Sequence, residues 1–155
     1  RVARMLVLLQ RLQSHLQSSG QSDTPAAEAA RDVMRYFDLA APQHHQDEER
    51  HVFPVLRACD DAVLAALAER LTQEHREMHS AWLALRPTLA DLAGGRWHAP
   101  QAEAVFGQWQ AFQALYQGHA QLEDEQAYPA AQTRLDATQC RAMGDEMARR
   151  RGVLL

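Results

Sequence analysis

The chain has 155 residues, which is the length of one domain and enough to bury a hydrophobic core. Its formal net charge of −4 argues against a nucleic-acid-binding protein, and no stretch is long and apolar enough to span a membrane. The two cysteines, Cys59 and Cys140, have no CxxC spacing and no signal peptide is visible, so we expect a cytoplasmic protein. The apolar residues are mostly Ala and Leu, which favours an all-α fold.

The first two helices are predicted from apolar residues at helical spacing. The stripe of the first helix already runs at the first residue and consists of Val2, Met5, Leu6, Leu9, Leu12 and Leu16. After a loop around Gly20, Thr24 before Pro25 predicts an N-cap with proline in the first helical turn. The second helix is expected to turn Ala29, Val33, Tyr36, Phe37 and Ala40 inward. Pro42 is expected to kink this helix rather than end it.

Three further helices complete the predicted fold. The third runs from about residue 61 to 92 with Asp60 or Asp61 as its cap, the fourth from about 100 to 129, and a short fifth from 136 to 150. Long helices joined by short loops predict an up-down-up-down antiparallel four-helix bundle with a short C-terminal fifth helix. The whole chain, residues 1–155, is expected to form one domain whose first helix is truncated at its N-terminus.

The candidate functional residues are pairs of metal-ligating side chains that stand four residues apart. Residues at i and i+4 lie on one face of a helix, so both members of a pair can bind the same ion. One such pair is also typical of a surface ion pair, but here three helices carry one pair each. The pairs are His44 with Glu48, His75 with His79, and His119 with Glu123.

Counting residues from the predicted turns places the three pairs at one level of the bundle, over a length that suits two metal ions. Imidazole and carboxylate without thiolate favour iron, with manganese or zinc as alternatives. Glu48 and Glu123 are expected to bridge the ions with a hydroxo or oxo group, and the terminal ligands are expected to be His44, His75, His79 and His119. With ligands from three helices, one ion keeps an open position for dioxygen or nitric oxide, and a fourth-helix ligand is expected upstream of Arg1.

These motifs together resemble those of the hemerythrin-like, or HHE cation-binding, domains. The resemblance covers nearly the whole chain and rests on the run HHQDEERHVFPVL at residues 44–56, the HxxxH of His75 and His79, and His119-xxx-Glu123. It implies a non-haem di-iron centre in a four-helix bundle. It also implies that the last carboxylate follows His119 by four or five residues, so Asp124 is the alternative to Glu123. The first-helix histidine of the family would precede Arg1.

Three functions remain open from the sequence. The first is a binding protein that takes up dioxygen or nitric oxide for storage or sensing, as a monomer or a homodimer. The second is an enzyme or iron donor that acts in nitric oxide or peroxide detoxification or in iron–sulfur cluster repair. The third is a helical interaction module without metal. The chain carries no flavin or haem motif that would supply electrons, which favours binding over turnover.

Overall fold

The computed structural model describes residues 1–97 and 99–153. Its α-helices are α1 (Val2–Ser19), α2 (Thr24–Arg35), α3 (Ala41–Asp47), α4 (Phe53–Arg57), α5 (Ala62–Ala93), α6 (Ala102–Leu122), α7 (Tyr128–Gln132) and α8 (Ala137–Arg150). Helices α2 to α4 follow one another without a loop, and so do α6 and α7, so five helical rods result. The predicted fold class, an all-α helical bundle with a short C-terminal helix, is confirmed.

Two of the predicted helix caps can be compared with the structure. Asp23, and not Thr24, caps α2, because its carboxylate accepts a hydrogen bond from the Ala26 N–H at 3.0 Å. The prediction of Thr24 was therefore wrong by one residue, and Thr24 is the first residue of the helix. The cap of α5 is confirmed, since the Asp61 carboxylate accepts from two N–H groups of the first turn.

Three π-helical turns widen the helical rods, and a proline follows shortly after each of them. The turns span Tyr36–Ala40, Glu48–Val52 and Glu123–Ala127, and the prolines are Pro42, Pro54 and Pro129. In the first turn, the N–H of Ala41 donates to the carbonyl of Tyr36, five residues earlier. Proline has no N–H to donate, and its ring clashes with the carbonyl four residues before it in a regular α-helix. A wider turn at this place lets the rod continue past the proline.

The first π-helical turn also shifts which alanine is buried. The sequence predicts Ala40 on the inner face, whereas the structure exposes Ala40 and leaves Ala41 only 3% exposed. The extra residue in the turn moves the inner face by one position, so the prediction of Ala40 was wrong. The helix does continue through Pro42, as the sequence predicts.

Contacts divide the chain into two compact units. The first unit comprises residues 1–43 and 74–119, and its core is built from α1, the rod that begins with α2, the later part of α5, and α6. Aromatic side chains fill much of this core: Phe37, Trp82, Phe106, Trp109, Phe112 and Tyr116. Asp38, in the first π-helical turn, accepts hydrogen bonds from Arg86 and Trp82 on α5, which ties that turn to its neighbour.

The second unit comprises residues 44–73 and 120–155. Its apolar core is smaller and consists of Phe53, Leu56, Leu67, Ala68, Leu71, Ala127 and Ala131. The predicted fifth helix is confirmed as α8, which Asp136 caps in a capping box. No residue of α8 is buried, and it is attached through Arg150, which donates to Asp47, and through Glu146, whose carboxylate lies 2.7 Å from His51.

Within residues 1–97 and 99–153, no helix combines the length and the apolar character needed to cross a membrane.

Candidate metal centre

Two buried glutamates form the acidic part of the candidate site. Glu48 and Glu123 are the first residues of two π-helical turns and are only 2% and 4% exposed. Burial raises the pKa of Glu48 to about 8, and the nearby carboxylate of Glu123 adds to this rise. Two carboxylates this deeply buried favour a proton, or a cation, that neutralises one of their charges.

Tyr128 and His44 are the polar neighbours of Glu48. The Tyr128 hydroxyl donates a hydrogen bond to Glu48 Oε1. His44 Nε2 lies 3.2 Å from the same oxygen, but 48% of the His44 side chain is exposed. Burial and the two glutamates raise the pKa of Tyr128 well above its ordinary value, so the phenol keeps its proton.

Two buried histidines form the imidazole part of the candidate site. His75 on α5 and His119 on α6 are 4% and 3% exposed, and their Nε2 atoms lie 3.1 Å apart. His119 Nδ1 donates a hydrogen bond to Glu74 Oε2 at 2.9 Å, because a carboxylate can only accept. In a neutral imidazole this leaves His119 Nε2 as the unprotonated nitrogen that can bind a metal ion.

Glu48, His75, His119 and Glu123 together form a buried cluster in which one ligand atom of each residue lies within 4.8 Å of the others. The distance between the histidine nitrogens provides a test of fit. Two nitrogens that are each about 2.1 Å from one ion, at an angle between roughly 90° and 109°, lie about 3.0–3.4 Å apart. The observed 3.1 Å falls in this range. The cluster therefore has the donor types, the burial and the nitrogen spacing of a metal site.

The structure brings together four of the seven residues that the sequence proposes as ligands. These are the four residues of the buried cluster. His44 contacts Glu48 from a half-exposed position, while His79 and Asp124 are exposed and lie outside the cluster. A ligand role for these three residues stays a prediction.

Burial distinguishes Glu123 from Asp124, the two candidates for the last carboxylate ligand. Glu123 is 4% exposed and belongs to the cluster, whereas Asp124 is exposed. One residue further along a helix points about 100° away, so both side chains cannot face the same interior.

Sequence reasoning missed two residues beside the cluster. Glu74 directly precedes His75 and orients the imidazole of His119, and Tyr128 donates to Glu48. A signal for Tyr128 was present in the sequence. The pattern HxxxE followed by four residues and an aromatic residue with proline occurs twice, in residues 44–54 and 119–129. Glu74 gives no comparable signal, because acidic residues beside a helical histidine are common.

Fold and site together define a class: an all-α helical bundle with a buried cluster of two histidines and two glutamates that is a candidate metal site. A family model described as the hemerythrin HHE cation binding domain matches residues 3–147. The chain therefore belongs to the hemerythrin HHE cation-binding domain family, as the sequence motifs indicate. It is also 30% identical over 121 residues to an uncharacterised protein of Haemophilus influenzae, with 78% of this chain and 67% of that protein covered.

Proposed function

We propose that this protein is a non-haem di-iron-binding protein that takes up dioxygen or nitric oxide for storage or sensing. The single observation that carries the proposal is the buried cluster of Glu48, His75, His119 and Glu123, which contains oxygen and nitrogen donors and no thiolate. The family match supports a cation site, and the choice of iron rests on the donor set.

The proposed ligands of the two irons are carboxylates and imidazoles. Glu48 and Glu123 would hold the metal with their carboxylates, and His75 and His119 would hold it with their buried imidazoles. His44 and His79 are further terminal ligands that would turn inward from their exposed positions. Iron, when bound, supplies an open coordination position and reversible electron transfer to a small gas.

The chain's own hydrogen bonds prepare the site before a cation arrives. Glu74 keeps the proton of His119 on Nδ1, so that Nε2 presents its lone pair. The 3.1 Å contact between the two Nε2 atoms then requires a proton from His75, in the place where a cation can bind both nitrogens. Metal binding must displace this proton, so acid should release the metal.

The burial of the ligands supports binding rather than free exchange with solvent. All four cluster residues are at most 4% exposed, and the core of the first unit is apolar and rich in aromatic side chains. A site that excludes water favours retention of a gas and strengthens the electrostatic interactions within it.

The test is iron loading without oxygen, followed by metal analysis and absorption spectra through repeated cycles of gas addition and removal. We expect about two irons per chain and absorption bands that appear with dioxygen or nitric oxide and disappear when the gas is removed. Steady consumption of the gas would instead indicate an enzyme, and absence of bound iron would contradict the proposal. The His75→Ala, His119→Ala double variant is the control, since it lacks both buried imidazoles.

A further inference from the structure

The two copies of the HxxxE pattern continue into matching local structure. In both, the glutamate begins a π-helical turn: Glu48–Val52 in the first copy and Glu123–Ala127 in the second. The N–H of the residue five positions later donates to the glutamate's carbonyl, from Phe53 to Glu48 and from Tyr128 to Glu123. Sequence repetition is therefore accompanied by repetition of an unusual backbone conformation.

The wide turn decides which side chain shares a face with the glutamate. In a regular α-helix, the residue five positions after another points about 140° away from it. In a π-helical turn, the hydrogen bond joins these two residues, and they lie nearly above one another on the same face. Each turn thus places an aromatic residue, Phe53 or Tyr128, beside a buried carboxylate.

The two aromatic residues differ in chemistry. Phe53 is completely buried in the apolar core of the second unit and has no polar group. Tyr128 carries a hydroxyl that donates to Glu48 Oε1, and it also hydrogen-bonds to Glu123. One phenol therefore contacts both glutamates of the cluster, and its counterpart position contributes only packing.

We propose that Tyr128 is a positioning residue of the metal site, which fixes the carboxylate of Glu48 through its hydroxyl hydrogen bond and so raises the affinity for a divalent cation. This inference rests on the proposed function, because it needs a cation at the glutamates. A donor to one carboxylate oxygen holds that oxygen in place and leaves the other oriented for an ion. Hydrogen bonds of this kind commonly contribute about 10- to 100-fold to metal affinity.

The variant Tyr128→Phe removes the hydroxyl and keeps the ring. The probe is Co²⁺ added to metal-free protein, because its absorption bands report both affinity and coordination geometry. We expect about a 10-fold weaker affinity and shifted Co²⁺ bands in Tyr128→Phe. Tyr36→Phe is the matched control, since Tyr36 is also a partly buried tyrosine in a π-helical turn but packs edge-on against Phe37 in the first unit, and we expect wild-type Co²⁺ binding.

A double variant separates positioning from a general loss of stability. With Glu48→Gln already present, Tyr128→Phe should cause no further loss of Co²⁺ affinity, because the two residues act as one unit. Additive losses, or wild-type Co²⁺ binding by Tyr128→Phe alone, would overturn the inference and leave the proposed function intact. Absence of both Co²⁺ and iron binding in the wild-type protein would overturn both.

Discussion

The two HxxxE segments share a spacing and a π-helical turn, yet their histidines lie in different surroundings. The glutamates are equally buried, but His119 is 3% exposed and contacts both Glu74 and His75, whereas 48% of the His44 side chain is exposed. Local sequence places a histidine and a glutamate on one face of a helix in both cases. The neighbouring helix then decides whether that histidine is held in the interior, and α5 supplies the partners of His119.

Replacing each of the two histidines with alanine should give the largest difference in iron affinity between the two segments. His119→Ala removes a buried ligand that belongs to the cluster, so we expect iron affinity to fall by more than the roughly 100-fold that a lost hydrogen bond to a ligand can cost. His44→Ala removes a side chain that is half exposed, so we expect a much smaller loss. Calorimetric titration of metal-free protein with Fe²⁺ under anaerobic conditions measures both. Equal losses would show that the burial of a histidine does not predict how strongly it contributes to iron binding.

Removing the partner of His119 should have an intermediate effect. In Glu74→Gln the side chain keeps its size but loses the charge that holds the proton of His119 on Nδ1. We expect about a 10-fold decrease in iron affinity, with the number of bound irons unchanged. The control is Glu77→Gln, which changes an exposed glutamate one turn further along α5. A loss of similar size in Glu77→Gln would indicate a general charge effect and not orientation of His119.

The smallest expected effect concerns the buried glutamates in the absence of metal. The pKa of Glu48 rises from 4.5 to about 8 in the folded protein, so the folded state holds this proton more tightly than the unfolded state. Its contribution to stability is complete below pH 4.5 and is lost as the pH rises towards 8. Glu48→Gln imitates the protonated form and lacks this dependence. The unfolding temperature of metal-free wild type should therefore fall relative to that of Glu48→Gln, by on the order of 5 °C between pH 5 and pH 8.

Circular dichroism in the presence of a chelator measures these unfolding temperatures. Asp38→Asn serves as the control: Arg86 and Trp82 lower the pKa of Asp38, so its contribution to stability is lost only at more acidic pH, and its difference from wild type should stay constant between pH 5 and pH 8. A constant difference between wild type and Glu48→Gln across this pH range would contradict a raised pKa for Glu48.

The helices and the four cluster residues could be predicted because they depend on local spacing. Apolar periodicity gave the helices, and a separation of four residues identified the positions of Glu48, His75, His119 and Glu123. The exposure of His79 could not be predicted in this way. A four-residue separation keeps two side chains on one broad face, but the interior of the bundle accepts only part of that face, and its width depends on the neighbouring helices.

The π-helical turns are the second feature that the apolar periodicity of the sequence could not predict. A sequence read with 3.6 residues per turn assigns Ala40 inward and leaves Tyr128 away from Glu123, whereas the wider turns bury Ala41 and place Tyr128 beside both glutamates. A proline six residues after the start of each turn was the available signal. It is an incomplete one, because Pro87 lies inside α5 without such a turn.

Helix α8 is held to the rest of the second unit by polar contacts and not by a buried apolar face. This helix buries no residue and is held by charged and polar side chains, among them Arg150 with Asp47 and Glu146 with His51. Detaching α8 would expose little apolar surface, so the hydrophobic cost would be small. Salt would also screen the ion pairs that hold the helix. Partial opening of the protein can therefore begin at α8 while the apolar core of the second unit stays closed.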